Sequence, residues 1–104
     1  MIPSVREWHE KYRDQGLVAI GNHYPGFDFE ADLDNLKQAV KDLNVPYAVA
    51  QDNDGVTWRA FRTRAWPSLY LIDKRGNLRY THIGEGRYDE TEAAIRALLA
   101  EKYP

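Results

Sequence analysis

One short apolar run near the start of the chain limits the choice of fold more than any other feature. Residues 17–21 (Leu-Val-Ala-Ile-Gly) include no polar side chain, which is typical of a strand that is buried on both faces of a sheet. An amphipathic segment over residues 4–15 precedes the run, and apolar residues at helical spacing follow it at positions 33, 36, 40 and 43. The order helix, strand, helix favours an α/β domain.

Capping and turn residues predict the boundaries of this first half. Ser4 and Glu7 have the spacing of a capping box, so a helix is expected to begin at Ser4 and to end at Gly16. The second helix is expected to end at Asn44, which tolerates the left-handed conformation and is followed two residues later by a proline. A second strand is predicted over residues 47–50, and a strand–helix–strand unit of this kind is a right-handed crossover with parallel strands.

The second half of the chain predicts a short helix, a hairpin and a closing helix. Asp54 is the expected N-cap of the short helix, whose inward-facing residues are predicted to be Val56, Ala60 and Phe61. Strands over residues 68–72 and 78–83 flank a turn in which Gly76 supplies a positive φ. The last helix is expected to begin near Asp89, with Glu92 completing an Asp-x-x-Glu box, and to bury Ile95, Leu98 and Leu99. The order α-β-α-β-α-β-β-α, without internal repeats, predicts one domain over residues 1–104.

Composition excludes several classes of function. The 104 residues contain no cysteine, which removes disulfides, thiolate metal sites and cysteine nucleophiles, so no catalytic residue is predicted. A net charge of −2 gives no reason to expect nucleic acid as a partner. No apolar run approaches the length of a membrane span, and Met1 leads into a charged amphipathic stretch without a signal peptide. Three scattered histidines and an Asp-Asn-Asp-Gly turn at 52–55 favour neither a metal site nor a cofactor.

Several segments together carry a resemblance to a known family. They are WHEKYRDQGLVAIG at 8–21, HYPGF at 23–27, AVKDL at 39–43, DND at 52–54, TWRAF at 57–61, WP at 66–67, YLID at 70–73 and GEG at 84–86, with Gly76, Tyr88, Thr91 and Glu92. From Pro3 to Leu99 the chain resembles the thioredoxin-like domain of the TlpA, DipZ and redoxin (AhpC/TSA-like) group of thiol–disulfide oxidoreductases, with the DipZ type as the nearest match. The resemblance implies a periplasmic or cell-envelope setting, whereas the absence of an export signal favours the cytoplasm or a shortened chain, so the localisation stays open.

The resemblance also implies that a part of the fold is missing from these residues. In that group a strand and a Cys-x-x-Cys motif precede the helix that here contains Trp8, so the chain resembles a truncated thioredoxin-like fold: a mixed sheet without its central strand. That strand would lie between residues 17–21 and 68–72 and pair with both. Each buried, unpaired backbone group costs roughly 1–3 kcal/mol, so the gap must be closed. Direct pairing of the flanking strands, a strand borrowed from a second copy, or a longer native chain would close it, and we expect self-association, as a homodimer with possible strand exchange, or rearrangement.

Two segments are predicted to bind a protein or peptide substrate. The resemblance implies a cis bond between Trp66 and Pro67 that borders the active site. In that group the backbone beside the proline pairs with an extended substrate. Without the resemblance, the alternative is a trans Pro67 that opens an edge strand. His23, Tyr24 and Pro25 follow the carboxyl end of a strand, where α/β folds usually place ligands, or else they form a solvated loop. The predicted substrate-binding residues are therefore Trp66, Pro67, His23, Tyr24 and Pro25.

Three interpretations of the function remain open from the sequence. In the first, the chain is part of a thiol–disulfide oxidoreductase of cell redox homeostasis, itself redox-inactive without cysteine. In the second, it is a non-catalytic module that binds a peptide or protein at the Trp66-Pro67 edge. In the third, it is a structural remnant. Arg59, Arg62 and Arg64 are expected to form a solvated face, with phosphate or carboxylate binding as the alternative. The simplest interpretation of Trp8, Trp58 and Tyr70 is as core aromatics.

Overall fold

The computed structural model describes residues 1–26 and 31–102, which form four helices and four strands. In chain order these are α1 (Ile2–Tyr12), β1 (Ile20–His23), α2 (Leu33–Asp42), β2 (Ala48–Gln51), α3 (Val56–Ala60), β3 (Ser68–Ile72), β4 (Leu78–Ile83) and α4 (Tyr88–Ala100). The predicted α/β class and element order are confirmed. Phe27, which the sequence analysis assigns to the loop after His23, lies outside the described residues.

The first helix begins earlier than its sequence suggests. The helix α1 starts at Ile2, with Met1 as N-cap and no side-chain capping bond, so the capping box predicted at Ser4 is wrong. Pro3 explains the earlier start, because a proline in the first turn has a helical φ and needs no N–H partner. A 3-10 turn, Arg13–Gln15, continues the helix to Gly16, whose φ of 110° ends it as predicted.

The strands β1 and β2 form the predicted parallel pair. Their register runs from Ile20 opposite Ala48 to His23 opposite Gln51. The strand β1 begins three residues later than the apolar run at 17–21, because the ladder extends only where β2 lies beside it. Between the two strands, α2 is capped by the Asp32 carboxylate, which accepts a hydrogen bond of 3.0 Å from the backbone N–H of Asn35.

The hairpin of β3 and β4 agrees with its prediction in both strand ranges. The strands are antiparallel, with Ser68 opposite Ile83. Gly76 has a φ of 87°, as the predicted turn requires. The Asp73 carboxylate organises the turn by accepting hydrogen bonds of 2.9 Å from the backbone N–H groups of Arg75 and Asn77. The turn is therefore encoded locally, which is why its prediction from sequence succeeds.

Helix α3 differs from its prediction in its cap and in its buried face. Gly55, with a φ of 70°, occupies the N-cap position, and the carboxylate that binds the first turn belongs to Asp52 rather than to Asp54. Val56 is 66% exposed and Ala60 is also exposed, so their predicted inward orientation is wrong. Phe61 is half-buried against Tyr70. A helix of five residues is too short for apolar spacing to define its buried face.

The four strands do not form one sheet. β1 pairs with β2 and β3 pairs with β4, and within residues 1–26 and 31–102 no ladder joins the two pairs. Direct pairing of the flanking strands, one of the three closures considered above, is therefore wrong for this structure. Val18 and Ile20, predicted to be buried, are 76% and 67% exposed at the open side of β1. A cavity of about 260 Å³ lies between this segment, the end of β3 and α4; its apolar lining comes from Leu17, Val18, Leu71, Ile72, Ile95, Leu98 and Leu99.

The core lies on the side of the molecule formed by α1, β3 and α4. Trp8, Tyr12 and Ile95 are its fully buried members, and Val5, Leu17, Leu69, Leu71, Tyr88 and Leu99 pack around them. The burial predicted for Trp8 is thus seen in the structure, whereas Trp58 and Tyr70 are only half-buried.

Helix α4 is held in place by a carboxylate that the sequence assigns to a cap. Arg87 is the N-cap of α4 and forms no side-chain capping bond, so the predicted box between Asp89 and Glu92 is wrong. The Glu92 carboxylate instead accepts hydrogen bonds from Trp8 Nε1 at 3.1 Å and from the Tyr12 hydroxyl at 2.6 Å. It therefore joins α4 to α1 across the core.

Candidate functional site

The candidate site is built around Asp52, directly after the carboxyl end of β2. Its carboxylate is buried and accepts hydrogen bonds from Asn22 Nδ2 at 3.1 Å and from the backbone N–H groups of Thr57 at 3.2 Å and Trp58 at 2.9 Å. Its own backbone N–H donates to the His23 carbonyl oxygen at 2.8 Å. Asp52 therefore fixes the start of α3 against the end of β1.

These contacts determine the ionisation of Asp52. Burial on its own would raise the pKa of this carboxyl group. The hydrogen bonds from Asn22 and from the backbone N–H groups of Trp58, Thr57 and Val56 have the larger effect, so the pKa of Asp52 lies below that of an ordinary aspartate. A carboxylate with this many donors is a structural anchor, because its lone pairs are already occupied.

Three aromatic rings, those of Tyr24, Trp58 and Trp66, form a continuous surface that we call the aromatic platform. Trp58 packs against both of the others, with its ring centroid 4.8 Å from that of Tyr24 and 4.6 Å from that of Trp66. Tyr24 and Trp66 are stacked, with an interplanar angle of 16° and centroids 6.1 Å apart. Trp66 is 60% exposed, so the platform presents a large apolar face to solvent.

The lack of a side chain at Gly55 determines how closely the start of α3 packs against the Tyr24 ring of the platform. Its φ of 70° is left-handed, and a Cβ atom at this position would lie 2.9 Å from Tyr24 Cε1 and 3.0 Å from Arg59 Nη1. Both distances are too short for a side chain to fit without displacing its neighbours. The absence of a side chain at Gly55 therefore allows the Tyr24 ring and the Arg59 guanidinium to pack against the start of α3.

The backbone at Trp66 and Pro67 combines a cis peptide bond with unpaired polar groups. The Trp66–Pro67 peptide bond is cis. The Pro67 carbonyl accepts a hydrogen bond of 2.8 Å from the Gly84 N–H, which ties this residue to the end of β4. Within the described residues the backbone N–H and C=O of Trp66 form no hydrogen bond. An unpaired backbone amide next to an exposed ring is a suitable contact for an extended peptide.

The structure brings together some of the predicted site residues and separates others. Tyr24 and Trp66 are in direct contact, and Pro67 adjoins them. His23 contributes its backbone carbonyl to Asp52, while its ring nitrogen Nδ1 is buried and has no partner in the described part of the chain. Pro25 is half-buried and follows Tyr24 directly in the chain. The sequence analysis missed Trp58 as a site residue, because its role depends on two rings that are distant in sequence.

The residues of the site limit the chemistry that the chain can perform by itself. The chain contains no cysteine, so its own residues cannot carry out thiol–disulfide exchange. Among residues 1–26 and 31–102, no group of three or more His, Asp or Glu side chains is placed to hold a metal ion. No helix in the described part of the chain is long and apolar enough to cross a bilayer.

Comparison with known proteins identifies the relatives of this chain. No family model matches it. It is 41% identical over 103 residues to the protein DipZ of Mycobacterium tuberculosis. The matched region covers 99% of this chain but only 15% of DipZ. It is 28% identical over 100 residues to the thiol–disulfide oxidoreductase YkuV of Bacillus subtilis, covering 96% of this chain and 67% of YkuV. A crystal structure of a thioredoxin-like superfamily protein is 29% identical, with a TM-score of 0.88, and covers 99% of this chain and 71% of that one.

The likenesses in sequence and in structure agree with each other and confirm the resemblance predicted from the residues. They hold over nearly the whole chain, although the chain spans about one-seventh of the length of the DipZ protein that it matches. The chain has a thioredoxin-like fold and is related to the thiol–disulfide oxidoreductases, and the residues given contain no cysteine.

Proposed function

We propose that the chain supplies the peptide-docking part of a thiol–disulfide oxidoreductase whose redox-active cysteines lie outside these 104 residues. Its relationship to YkuV and DipZ supports the oxidoreductase class. Both relatives are longer than this chain, which leaves room in them for groups that the chain does not contain. The surroundings of Trp66 support the docking role.

One observation carries the proposal: Trp66 is 60% exposed although two other aromatic rings pack against it. Exposing so large an apolar ring is unfavourable in water, and an indole held in one orientation offers a preformed contact surface. The unpaired backbone groups of Trp66 can accept the backbone of an extended peptide as an additional strand. Such binding uses the main chain of the partner, which suits an enzyme that acts on many proteins.

The predicted site residues take the following roles in this proposal. Trp66 supplies the indole and the free backbone groups, and Pro67 holds the segment at the start of β3. Tyr24 supports the indole from below, together with Trp58. His23 and Pro25 border Tyr24 at the end of β1, where a bound side chain would lie.

The test compares the 104-residue chain with the complete product of its gene. The complete protein is expected to reduce insulin disulfides in the presence of dithiothreitol, and its reading frame is expected to encode a Cys-x-x-Cys motif before residue 1. The 104-residue chain is expected to bind an unfolded, cysteine-free peptide without reducing insulin. Reduction of insulin by these 104 residues alone, or a stop codon immediately before residue 1, would contradict the proposal.

The second candidate function is a binding module that never exchanges electrons. It is favoured because the aromatic platform needs no thiol to bind a peptide. In that case the complete protein would bind peptides equally in oxidising and reducing buffers and would show no insulin reduction. The insulin assay on the complete protein therefore separates the two candidates.

We further propose that a second copy of the chain covers the open side of β1 when the chain is present alone. The exposed Val18 and Ile20 and the neighbouring Ile72, 52% exposed, support this proposal, because they form an apolar strip beside unpaired backbone. Two copies can pair through this strip about a two-fold axis, with or without exchange of a strand. Light scattering after size-exclusion chromatography is expected to give the mass of a dimer, and a strictly monomeric species would exclude this proposal.

A further inference from the structure

We propose that the docking edge at Trp66 selects acidic extended peptides, with Arg59, Arg62 and Arg64 as the groups that bind their carboxylates. This inference rests on the proposed function, for which it names the class of substrate. It follows from the distribution of charge along the chain and from the position of one guanidinium group beside the aromatic platform.

The segment that connects Trp58 and Trp66 has a charge opposite in sign to that of the whole chain. The net charge of the 104 residues is −2, yet the segment between Asp54 and Asp73 contains three arginines and no acidic residue. The side chains of Arg59, Arg62 and Arg64 are all exposed, and none of them forms an ion pair within residues 1–26 and 31–102.

Arg79, Arg87 and Arg96 differ in this respect, because they have carboxylate partners. Arg79 binds Asp73 and Glu101 at 3.1 and 2.9 Å, and Arg96 binds Glu92 at 3.2 Å. As far as residues 1–26 and 31–102 are concerned, the three arginines before Trp66 can each bind an external carboxylate. A guanidinium group binds a carboxylate through two parallel N–H donors, which gives such a contact direction as well as strength.

Geometry places the first of these arginines at the platform. Arg59 Nη1 and Tyr24 Cε1 lie 3.0 and 2.9 Å from the same point, the position that a Gly55 Cβ would occupy. The guanidinium is therefore at most about 6 Å from the ring edge, within the range of direct interaction with a ligand on that ring. A peptide that stacks on the platform can place a carboxylate on Arg59 without any rearrangement of the backbone.

The other two arginines lie in the connection that follows α3 and leads to Trp66. Arg62 has a φ of 54° and its N–H donates to the Arg59 carbonyl at 2.9 Å, which ends the helix in a tight turn. The Thr63 N–H donates to the Trp58 carbonyl at 3.0 Å. The segment then runs from Arg64 through one residue to Trp66. All three arginines therefore belong to the short connection between two members of the platform.

Two acidic groups close to this edge are already engaged. The Asp52 carboxylate is occupied by Asn22 and the start of α3. The Glu85 carboxylate, next to Gly84, is bound by the Met1 ammonium at 2.9 Å and by the Tyr88 hydroxyl. Asp54 is exposed and directly precedes Gly55, against which the Arg59 guanidinium packs, but it forms no ion pair with the three arginines within residues 1–26 and 31–102. In the described part of the chain the three arginines therefore have no carboxylate partner.

The experiment measures the binding of two labelled peptides to the full chain by fluorescence anisotropy. Both are nine residues long and share a Val-Tyr-Val centre; one carries two glutamates on each side of the centre, and the other carries glutamines there. The glutamate peptide is expected to bind about tenfold more tightly at low salt, as three exposed charge pairs of modest strength would give. Raising the salt to about 0.3 M is expected to reduce this preference to about threefold or less.

Substitutions locate the preference on the surface. Arg59→Gln with Arg62→Asn and Arg64→Gln is expected to remove the preference for glutamate and to retain binding of the glutamine peptide; asparagine is used at position 62 because it tolerates a positive φ. Arg13→Gln is the matched control, since Arg13 is exposed in the 3-10 turn after α1 and is expected to leave both affinities unchanged. Equal thermal melting of the variants shows that they are folded.

The outcomes separate this inference from the proposed function. If Trp66→Ala abolishes binding of both peptides but the parent chain binds them equally, the docking role stands and the acidic preference is wrong. If neither peptide binds, or if Trp66→Ala has no effect on binding, the docking site itself is wrong. Tighter binding of a single-stranded oligonucleotide than of the glutamate peptide would also overturn the inference, because the arginines would then serve phosphates.

Discussion

Glu92 connects two helices that are distant in sequence, and its ionisation links the fold to pH. Besides Trp8 and Tyr12, the ammonium group of Lys11 binds its carboxylate, at 2.8 Å. The hydrogen bond from Lys11 is the largest cause of the lowered pKa of Glu92, about 2 instead of 4.5, and the hydrogen bond from Tyr12 is the next. The folded state therefore holds this carboxyl group as a carboxylate under conditions in which the unfolded chain protonates it.

The stability of the chain is predicted to decrease in acid through this group. The contribution of Glu92 is complete above about pH 4.5, the ordinary value, and is lost as the pH falls through the folded-state pKa of about 2. The free energy of unfolding, measured by urea denaturation, is expected to fall between about pH 5 and pH 2, and Glu92→Gln is expected to weaken this dependence. Glu10→Gln is the control, because Glu10 is exposed on α1 and forms no ion pair within the described residues. An equally steep dependence in E92Q would contradict the prediction.

Gly55 provides a second prediction at the residue scale, with Gly76 as its matched control. Both glycines have positive φ values, 70° and 87°, so a substitution by alanine costs each about 1–2 kcal/mol of backbone strain. A Cβ at Gly55 would also contact Tyr24, whereas no atom lies within 4 Å of a Cβ at Gly76. Gly55→Ala is therefore expected to alter the near-ultraviolet circular dichroism of the platform and to weaken peptide binding. Gly76→Ala is expected to lower only the stability; equal spectra for the two variants would contradict the role of Gly55.

Single residues also show where sequence reasoning is incomplete. Asn44 adopts the predicted left-handed conformation, since that preference is local to the residue. Asp52 and Asp54 are both suitable caps for α3, and only the position of β2 decides that Asp52 is used. Similarly, the spacing of Glu92 suits a capping box, but the neighbouring α1 offers it stronger donors. Local rules thus predict which residue types act, and tertiary contacts decide between equivalent candidates.

At the scale of elements, the hairpin and the strand pair differ in how far the sequence predicts them. The ranges of β3 and β4 agree with prediction because their turn carries its own signal in Asp73 and Gly76. β1 has no such signal, since its apolar run indicates a strand without indicating its partners. The aromatic platform could not be predicted for the same reason, because its three rings come from the end of β1, from α3 and from the connection to β3.

The open side of β1 leads to a prediction about the state of association. If a second copy covers the apolar strip, Val18→Lys places a charge in the interface and is expected to raise the dimer dissociation constant at least tenfold. Val56→Lys is the matched control, because Val56 is 66% exposed on α3, against 76% for Val18, and does not border the cavity between the strand pairs. Light scattering over a range of concentrations measures both constants. A parent chain and a V18K chain with the same mass at every concentration would exclude an interface at this strip.

On the scale of the whole molecule, the burial of side chains is uneven. The buried core cluster consists of Trp8, Tyr12 and Ile95, and the residues packed around it come from α1, β3, α4 and their neighbouring turns. None of these residues belongs to β1, α2 or β2. In the described parts of β1, α2 and β2, the buried hydrophobic residue is Leu36 of α2. The two strand pairs therefore depend on different amounts of apolar burial, and the chain is expected to open in two steps.

Native-state hydrogen exchange is expected to resolve these two steps. The amides of β3, which belongs to the unit with the core cluster, are expected to exchange at least tenfold more slowly than those of β1 and β2, because a segment with few buried contacts opens at a lower free energy. Ile95→Ala, which removes a core side chain at a cost of about 2–5 kcal/mol, is expected to accelerate exchange in β3 far more than in β2. Leu36→Ala is expected to do the reverse. Uniform protection in the parent chain, with both variants accelerating all strands equally, would show that the two strand pairs unfold as one unit despite the gap between them.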